Sequence, residues 1–426
     1  MSHRTGAVLS IGDELTLGQT LDTNSKWVSD RLLSHGVVPV EHATVPDDRA
    51  AIAAAIRRLA DRADLVIVTG GLGPTADDLT RAGLADAMDD ELVEDAAALA
   101  QIEAYFRARG TPMREINRAQ AQRPRRGECL TNPNGTAPGL CGVVRVAKGE
   151  VEIVCLPGPP REMKPMFEAE VVPRLKLEAG RQVMTRALHT FGLGESEIAA
   201  RLGPLMDRDR NPTVGTTASQ GVVSCRIRYE GAGDGASEIG KIEAEVRTRL
   251  GPYVFGADGD TMASVVLDLL RRRGEGLATV ESCTGGLLGA MLTDVPGSSD
   301  VYVGGWVTYT NAMKTLEVGV PADLIARAGA VSRQVAEAMA RGGRERSGAA
   351  HALAITGIAG PGGGSESKPV GTVWIARSGP DGDEARKFLF VGERANVRDW
   401  AARSALAMLR LALIGKRGVK LGRQVE

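Results

Sequence analysis

A chain of 426 residues is long enough for roughly two to four domains, with three as the central expectation. Its 52 Lys+Arg against 53 Asp+Glu leave a formal net charge of -1, which argues against a nucleic-acid or membrane surface as its main partner. The 53 Gly and 20 Pro, beside only 6 Phe, 5 Tyr and 4 Trp, read as a loop-rich α/β protein with an Ala/Leu/Val core. No run approaches the roughly 18 consecutive apolar residues of a membrane span, and the first residues lead into a strand with no secretory apolar stretch. Cys129, Cys141, Cys155, Cys225 and Cys283 are odd in number and widely spaced. Neither a disulfide framework nor a zinc site follows, and a cytoplasmic location is the expectation.

Residues 7–11 predict a first strand that ends in Gly12, Asp13 and Glu14. A helix is predicted over 23–33, with Trp27, Leu32 and Leu33 on its apolar face, then a strand over 37–40, an amphipathic helix over 50–59 and a buried strand over 64–69. Such alternation predicts a mainly parallel sheet with its site at the strands' carboxyl ends. Residues 69–78 occupy that position. Gly70, Gly71 and Gly73, with Thr75 beside them, let the backbone close around a phosphate, and Asp77 and Asp78 stand where a divalent ion bridges to it. The alternative is that one of these aspartates caps the following helix. The pattern is neither the Walker loop nor the dinucleotide fingerprint. A helix over 94–109 reads as scaffold. Turn-rich loops at 134–139 and 156–163, the second after a strand over 151–156, are expected to return to the same cleft. Glu14 and Glu162 are either metal or water ligands or surface turn residues.

The composition shifts near Pro173. Residues 174–256 predict a small α+β unit: strand 184–191, helix 195–206, strand 221–229 and helix 236–250. It holds no Gly-x-x-Gly loop, so RNA binding of the KH kind gains little support, and a spacer or dimerisation role is the expectation. His189 reads as structural.

Residues 257–426 predict a second α/β domain. A helix over 262–271 and a strand over 276–280 lead into Glu281, Ser282, Cys283, Thr284, Gly285 and Gly286, after which Leu287 starts an apolar helical run. A serine at such a junction exposes its hydroxyl beside backbone N–H groups, here those of Thr284, Gly285 and Gly286, that point at a forming oxyanion. No His–Asp pair lies nearby. Tyr309 and Lys314, in or just after a strand predicted over 302–309, supply the alternative: a lysine buried enough to lose its proton activates the serine, and the tyrosine relays that proton or holds the geometry. The competing reading is a tight turn with a phosphate or nothing at its helix N-terminus, and Cys283 is a competing reactive group. A helix over 331–340 precedes a strand that enters a flexible loop containing Gly357, Gly360, Gly362 and Gly363. Strands over 370–376 and 388–391 and a closing helix over 397–411 follow. The loop either closes over substrate or binds phosphate. Arg394 and Arg398 are either anion contacts or a solvated helix face, and the basic segment 416–423 reads as a frayed end.

These motifs, in this order, resemble the CinA (competence/damage-inducible protein A) family across essentially the whole chain. They are Gly12 to Glu14, residues 69–78, residues 134–139 and Glu162 with Met163 in front. Behind them come residues 281–286, Tyr309 with Lys314, residues 329–332, 356–361 and 368–371. The resemblance implies an α/β architecture of three domains: a molybdopterin-binding-like (MoaB/MogA) domain over 1–173, a KH-like α+β domain over 174–256 and a nicotinamide-nucleotide amidase domain over 257–426. It implies deamidation of nicotinamide mononucleotide to nicotinic acid mononucleotide and ammonia, with Ser282, Tyr309 and Lys314 as the catalytic set and no cofactor. It also implies ADP-ribose pyrophosphatase activity in front, dependent on a divalent metal such as Mg2+ or Co2+, together with a homodimer. Asn24 and Gly158 join the front binding set, where two departures from the family pattern also fall: Asp22 ahead of Thr23 and Asn24, and Pro159 between Gly158 and Pro160. An amidase with a merely nucleotide- or pterin-binding front domain, and a non-enzymatic competence or DNA-damage adaptor, are the alternatives.

Overall fold

A computed structural model describes residues 2–426. The chain divides into two compact units, one of residues 1–184 with 229–236 and one of residues 185–228 with 237–426.

In the first unit a six-stranded sheet runs in the order Val38–Val45, Thr5–Ile11, Leu65–Thr69, Gly149–Leu156, Gly139–Val146 and Glu128–Leu130. The first three junctions are parallel and the last two antiparallel. Successive side chains of a strand point to opposite faces, and both faces here are covered. Ala7, Leu9, Val66 and Val68 meet Ile52, Ile56 and Leu59 of the helix Arg49–Arg62. Val8, Leu65 and Ile67 meet Val28 and Leu32 of the helix Thr23–Ser34. Each of these fully buried Val, Leu and Ile side chains contributes about 1.5–3 kcal/mol relative to exposure. Aspartates start both helices: Asp22 accepts from Ser25 N at 2.9 Å and Asp48 from Ala51 N at 2.7 Å, satisfying N–H groups that the first helical turn leaves unpaired. The strand expected over 37–40 continues to Val45, and the antiparallel strand Gly139–Val146 was not expected.

In the second unit a five-stranded sheet runs Tyr302–Val307, Leu277–Glu281, His351–Gly357, Thr372–Ser378, Glu384–Leu389. Its first two junctions are parallel, its last two antiparallel. Val335, Ala336 and Met339 of the helix Arg333–Ser347 cover one face. The helices Met262–Arg273 and Arg394–Leu413 cover the other through Val266, Leu270, Val397, Ala401 and Ala405. The strand predicted to reach Tyr309 ends at Val307, because Thr310 already caps the helix Asn311–Val318.

The same unit holds an antiparallel hairpin in which residues 213–219 pair with residues 222–228, Thr213 opposite Arg228 and Ser219 opposite Val222. Gln220 and Gly221 turn it at φ 49° and 79°, the double left-handed conformation that a two-residue hairpin demands. A Cβ on Gly221 would come within 2.6 Å of the Trp400 ring, and Arg403 donates to Gln220 Oε1 at 2.9 Å. The hairpin tip is therefore seated on the helix Arg394–Leu413.

The segment read as a frayed end is ordered instead. Leu389 N donates to Arg423 O at 3.0 Å, Val425 N to Lys387 O at 2.8 Å and Lys387 N to Glu426 O at 3.0 Å. Leu421 is buried in the core of the unit, and Arg386 binds Val419 O at 2.7 Å. The basic residues that suggested a solvated tail flank the one leucine that anchors it. Among the described residues no helix is long and apolar enough to cross a membrane, and all five cysteines are free.

Candidate active site

The strand Leu277–Glu281 is buried along its whole length and delivers Ser282 to a turn that only glycine tolerates. Gly285 and Gly286 take φ 60° and 92°, a region where a Cβ is strained. Glu281, 1 % exposed, fixes the turn from beneath. Its carboxylate accepts from Gly286 N at 3.1 Å, Leu288 N at 3.0 Å and Gly289 N at 2.8 Å. The expected oxyanion donors are corrected by this geometry. Gly286 N–H is spent on Glu281 and Gly285 N–H on Ser282 O at 3.0 Å. Among the described residues, Cys283 and Thr284 are the positions in this turn whose N–H groups have no acceptor on another residue.

Lys314, on the helix Asn311–Val318, is 1 % exposed. Its Nζ lies 3.0 Å from Ser282 Oγ, 2.9 Å from Thr308 O and 3.4 Å from Tyr309 O. Two of these partners are carbonyls, which only accept, and the third is a hydroxyl. A neutral amine fits the set completely: its two N–H bonds go to the carbonyls and its lone pair receives the serine proton. Burial lowers the Lys314 pKa from its ordinary value, opposed only by the Cys283 thiol, which shifts the balance toward the neutral amine.

Tyr309 is placed differently. Its side chain is 55 % exposed, and its hydroxyl accepts from Arg394 Nη2 at 2.8 Å. The structure brings Ser282 and Lys314 together; Tyr309 reaches that pair through its backbone carbonyl, not its hydroxyl. Arg394 also donates to Gly360 O at 2.8 Å, tying the glycine loop to Tyr309. Arg398 places Nε and Nη2 on Thr284 O, at 3.1 and 2.7 Å. Gly362 and Gly363 are exposed in the loop, whereas Gly357 lies at the end of its strand, where a Cβ would meet Val373 at 2.6 Å.

Cys283 is not a competing nucleophile. It is 6 % exposed, and burial pushes its thiol up to about 11, so the reactive thiolate is scarce at neutral pH. Iodoacetamide is expected to leave Cys283 unmodified in the folded chain; peptide mass mapping checks this, and full labelling within minutes would contradict it.

In the first unit a cavity of about 600 Å³ is lined by Asn24, Gly158, the loop glycines Gly70, Gly71 and Gly73, and the acidic residues Glu14, Asp77 and Asp78. Thr75 does not line it. Asn24 Nδ2 donates to Gly158 O at 2.8 Å, so the segments carrying the two departures from the family pattern meet here. The phosphate-loop expectation is corrected in detail. Gly70 N–H goes to Leu156 O at 3.1 Å and Gly73 N–H to Asp78 at 2.6 Å, leaving Gly71 as the one of the three glycines without a protein acceptor. Asp78 also accepts from Thr75 N at 2.8 Å and from its hydroxyl; both carboxylate oxygens hold the loop closed, and Asp78 does not fit a metal ligand. Sequence reasoning missed Asp47, which lines the same cavity; its carboxylate accepts from Asp13 N at 3.0 Å, and its own N–H donates to the Asp13 carboxylate at 3.3 Å. Its signal was the pair Asp47–Asp48 before a helix, where only one aspartate can cap. Burial raises the Asp47 pKa, and the charges of Asp13, Glu14 and Asp77 raise it further. Among the described residues no three His, Cys, Asp or Glu side chains form a ready-made metal set. Hard divalent ions commonly take one or two carboxylates and complete their shell from substrate phosphate, a pattern that Glu14 and Asp77 fit. Glu162, also on the cavity wall, is buried and accepts from Asn132 at 2.9 Å.

Three family models match the chain in succession: a probable molybdopterin binding domain over residues 7–177, the damage-inducible protein CinA KH domain over 185–256 and the CinA C-terminal domain over 259–413. The middle match stands although that segment has no Gly-x-x-Gly loop. CinA-like proteins of Synechococcus sp. (strain RCC307) and Anaeromyxobacter sp. (strain Fw109-5) are 43% and 42% identical over 415 and 407 residues. Each alignment covers 95% of this chain and 98% of the relative. Among solved structures, the competence/damage inducible protein CihA of Agrobacterium tumefaciens is 42% identical, covering 36% of this chain and 93% of its own, with a TM-score of 0.35. With relatives of this identity aligned over nearly their whole length, the chain belongs to the CinA family.

Proposed function

We propose that the second unit is a serine amidase that converts nicotinamide mononucleotide and water to nicotinic acid mononucleotide and ammonia. The observation that carries this reading is the 3.0 Å approach of a fully buried lysine amine to Ser282 Oγ. Ser282 Oγ attacks the carboxamide carbon while its proton passes to Lys314 Nζ. The negative charge that develops on the carboxamide oxygen is met by the N–H groups of Cys283 and Thr284. Lys314 returns the proton to the departing nitrogen, ammonia leaves, and a nicotinoyl ester remains on Ser282. Water then attacks that ester, with Lys314 again accepting the proton, and Ser282 is released. Arg394 joins Tyr309 to the glycine loop. The test is ammonia release from nicotinamide mononucleotide by the intact chain in the presence of EDTA. Sustained turnover is expected, since serine and lysine supply nucleophile and base; no turnover would end the reading.

For the first unit we propose hydrolysis of the pyrophosphate of ADP-ribose, supported by the cavity and by its glycine loop beside a carboxylate cluster. Glu14 and Asp77 are the residues that would hold a divalent ion, which when bound would supply neutralisation of the two phosphates. The chain's own part is to hold the loop, and Asp78 does this through three hydrogen bonds. Asp78→Ala is therefore expected to weaken ADP-ribose binding about 10-fold, as read by calorimetric titration. Unchanged affinity would remove the loop from the binding site.

A further inference from the structure

Arg398 was a candidate for gripping the substrate's phosphate, and its placement gives it another task. Three ties hold the turn that carries Ser282. From the neighbouring strand, Ile355 O accepts from Ser282 N at 3.0 Å. From beneath, Glu281 takes three N–H groups of the following residues. From outside, Arg398 puts two donors on the single carbonyl of Thr284. The other bond on that carbonyl comes from Leu287 N at 3.3 Å, a long one. Without Arg398, the peptide plane between Thr284 and Gly285 would keep only backbone ties, that long bond on its carbonyl and the 3.0 Å bond from Gly285 N to Ser282 O, with no side chain to set its tilt. It lies between Thr284, whose N–H lacks an acceptor, and two glycines at positive φ, the softest backbone of the turn.

The anchor for this tie is stiff. Arg398 stands in the first turns of the helix Arg394–Leu413, whose N-terminus is closed by a capping box between Glu393 and Asn396. Val397 and Ala401, on either side of Arg398 in sequence, are fully buried. Among the described residues Arg398 forms no ion pair, so its charge is not cancelled by a carboxylate. A planar guanidinium also holds a fixed orientation that an ammonium does not.

On the amidase reading above, we propose that Arg398 is a positioning residue. Through the Thr284 carbonyl it sets the peptide planes of the nucleophile turn, and so the aim of the Cys283 and Thr284 N–H groups at the oxyanion. A positioning role and a phosphate contact separate in the kinetics. A displacement of about 1 Å in such a turn costs about 100-fold in turnover, whereas loss of a contact made equally in ground and transition states raises KM and leaves kcat alone.

The experiment measures kcat and KM for nicotinamide mononucleotide with the full chain, wild type, Arg398→Ala and Arg398→Lys, after thermal unfolding has shown each variant folded. Arg398→Ala is expected to lower kcat about 100-fold with KM within about two-fold. Arg398→Lys should restore part of kcat, since an ammonium reaches one carbonyl without the two-pronged grip. A raised KM with unchanged kcat would overturn the proposal in favour of a phosphate contact, and wild-type values of both would remove any role. If Arg398→Ala does not fold, Arg398→Lys and Arg398→Gln are judged by the same split. Should the wild type release no ammonia, the amidase reading fails separately. The proposal is then judged by labelling of Ser282 with a fluorophosphonate, expected to slow in the Arg398 variants and contradicted by equal rates.

Discussion

Ser282→Ala is expected to reduce ammonia release from nicotinamide mononucleotide by at least about four orders of magnitude. The size follows from chemistry that has no substitute in the site. Removing Oγ takes away the only atom that Lys314 Nζ can both deprotonate and direct at the carboxamide, its other partners being the carbonyls of Thr308 and Tyr309. Cys283 cannot take over, because its thiol is buried and pushed up to about 11. The hydroxyl is small and sits in a turn held by backbone bonds, so the variant should fold with a wild-type melting temperature. Activity surviving in Ser282→Ala would remove the covalent mechanism, whatever the fate of the family resemblance.

Lys314→Arg should be nearly as damaging, with a loss of about 10²–10⁴-fold. The guanidinium carries a positive charge and donors but cannot give up a proton at any working pH. The experiment therefore separates a base from a merely cationic neighbour, and Lys314→Met controls for bulk in the buried site. The wild-type pH profile carries the sign. Burial lowers the Lys314 pKa from 10.5, and the neutral amine is the active form. So kcat/KM rises with pH through the lowered pKa and levels off before 10.5 is reached. Stability moves in the same direction. Between the lowered folded pKa and the ordinary unfolded one, the unfolded chain binds more protons, and folding gains as pH rises through that window. A pH–rate profile that falls across the rising limb, or an active Lys314→Arg, would exclude Lys314 as the base.

How legible this was depends on how local the cause is. Residues 7–11 and 64–69 read as strands because continuous apolar runs bounded by glycine and loop residues have few other uses, and both stand within a residue or two of where they were expected. The Ser282 turn was legible for the same reason, as apolar strand, glycine pair and apolar helix are adjacent in sequence. What a hydroxyl or guanidinium faces is not local. Thr284 and Arg398 are 114 residues apart, and no spacing rule connects them. Gly73 looked like a phosphate donor because its own sequence hides that Asp78 already takes its N–H. Asp47 was missed because its character comes from Asp13, Glu14 and Asp77 gathering around it. Tyr309 was expected to share a strand with its neighbours, and the early helix cap at Thr310 turned its ring toward Arg394 instead.

The ordered segment at residues 417–426 bears on the colloidal behaviour of the molecule. The strand Glu384–Leu389 is the last of its sheet, and a bare edge strand invites pairing with another chain. Residues 423–426 occupy that edge with backbone bonds to Lys387 and Leu389, while Leu421 pins them down. The segment thus works as a built-in guard against edge-to-edge association. Its removal by proteolysis, or its displacement by a bulky fusion at this end, would expose the edge without touching either candidate site.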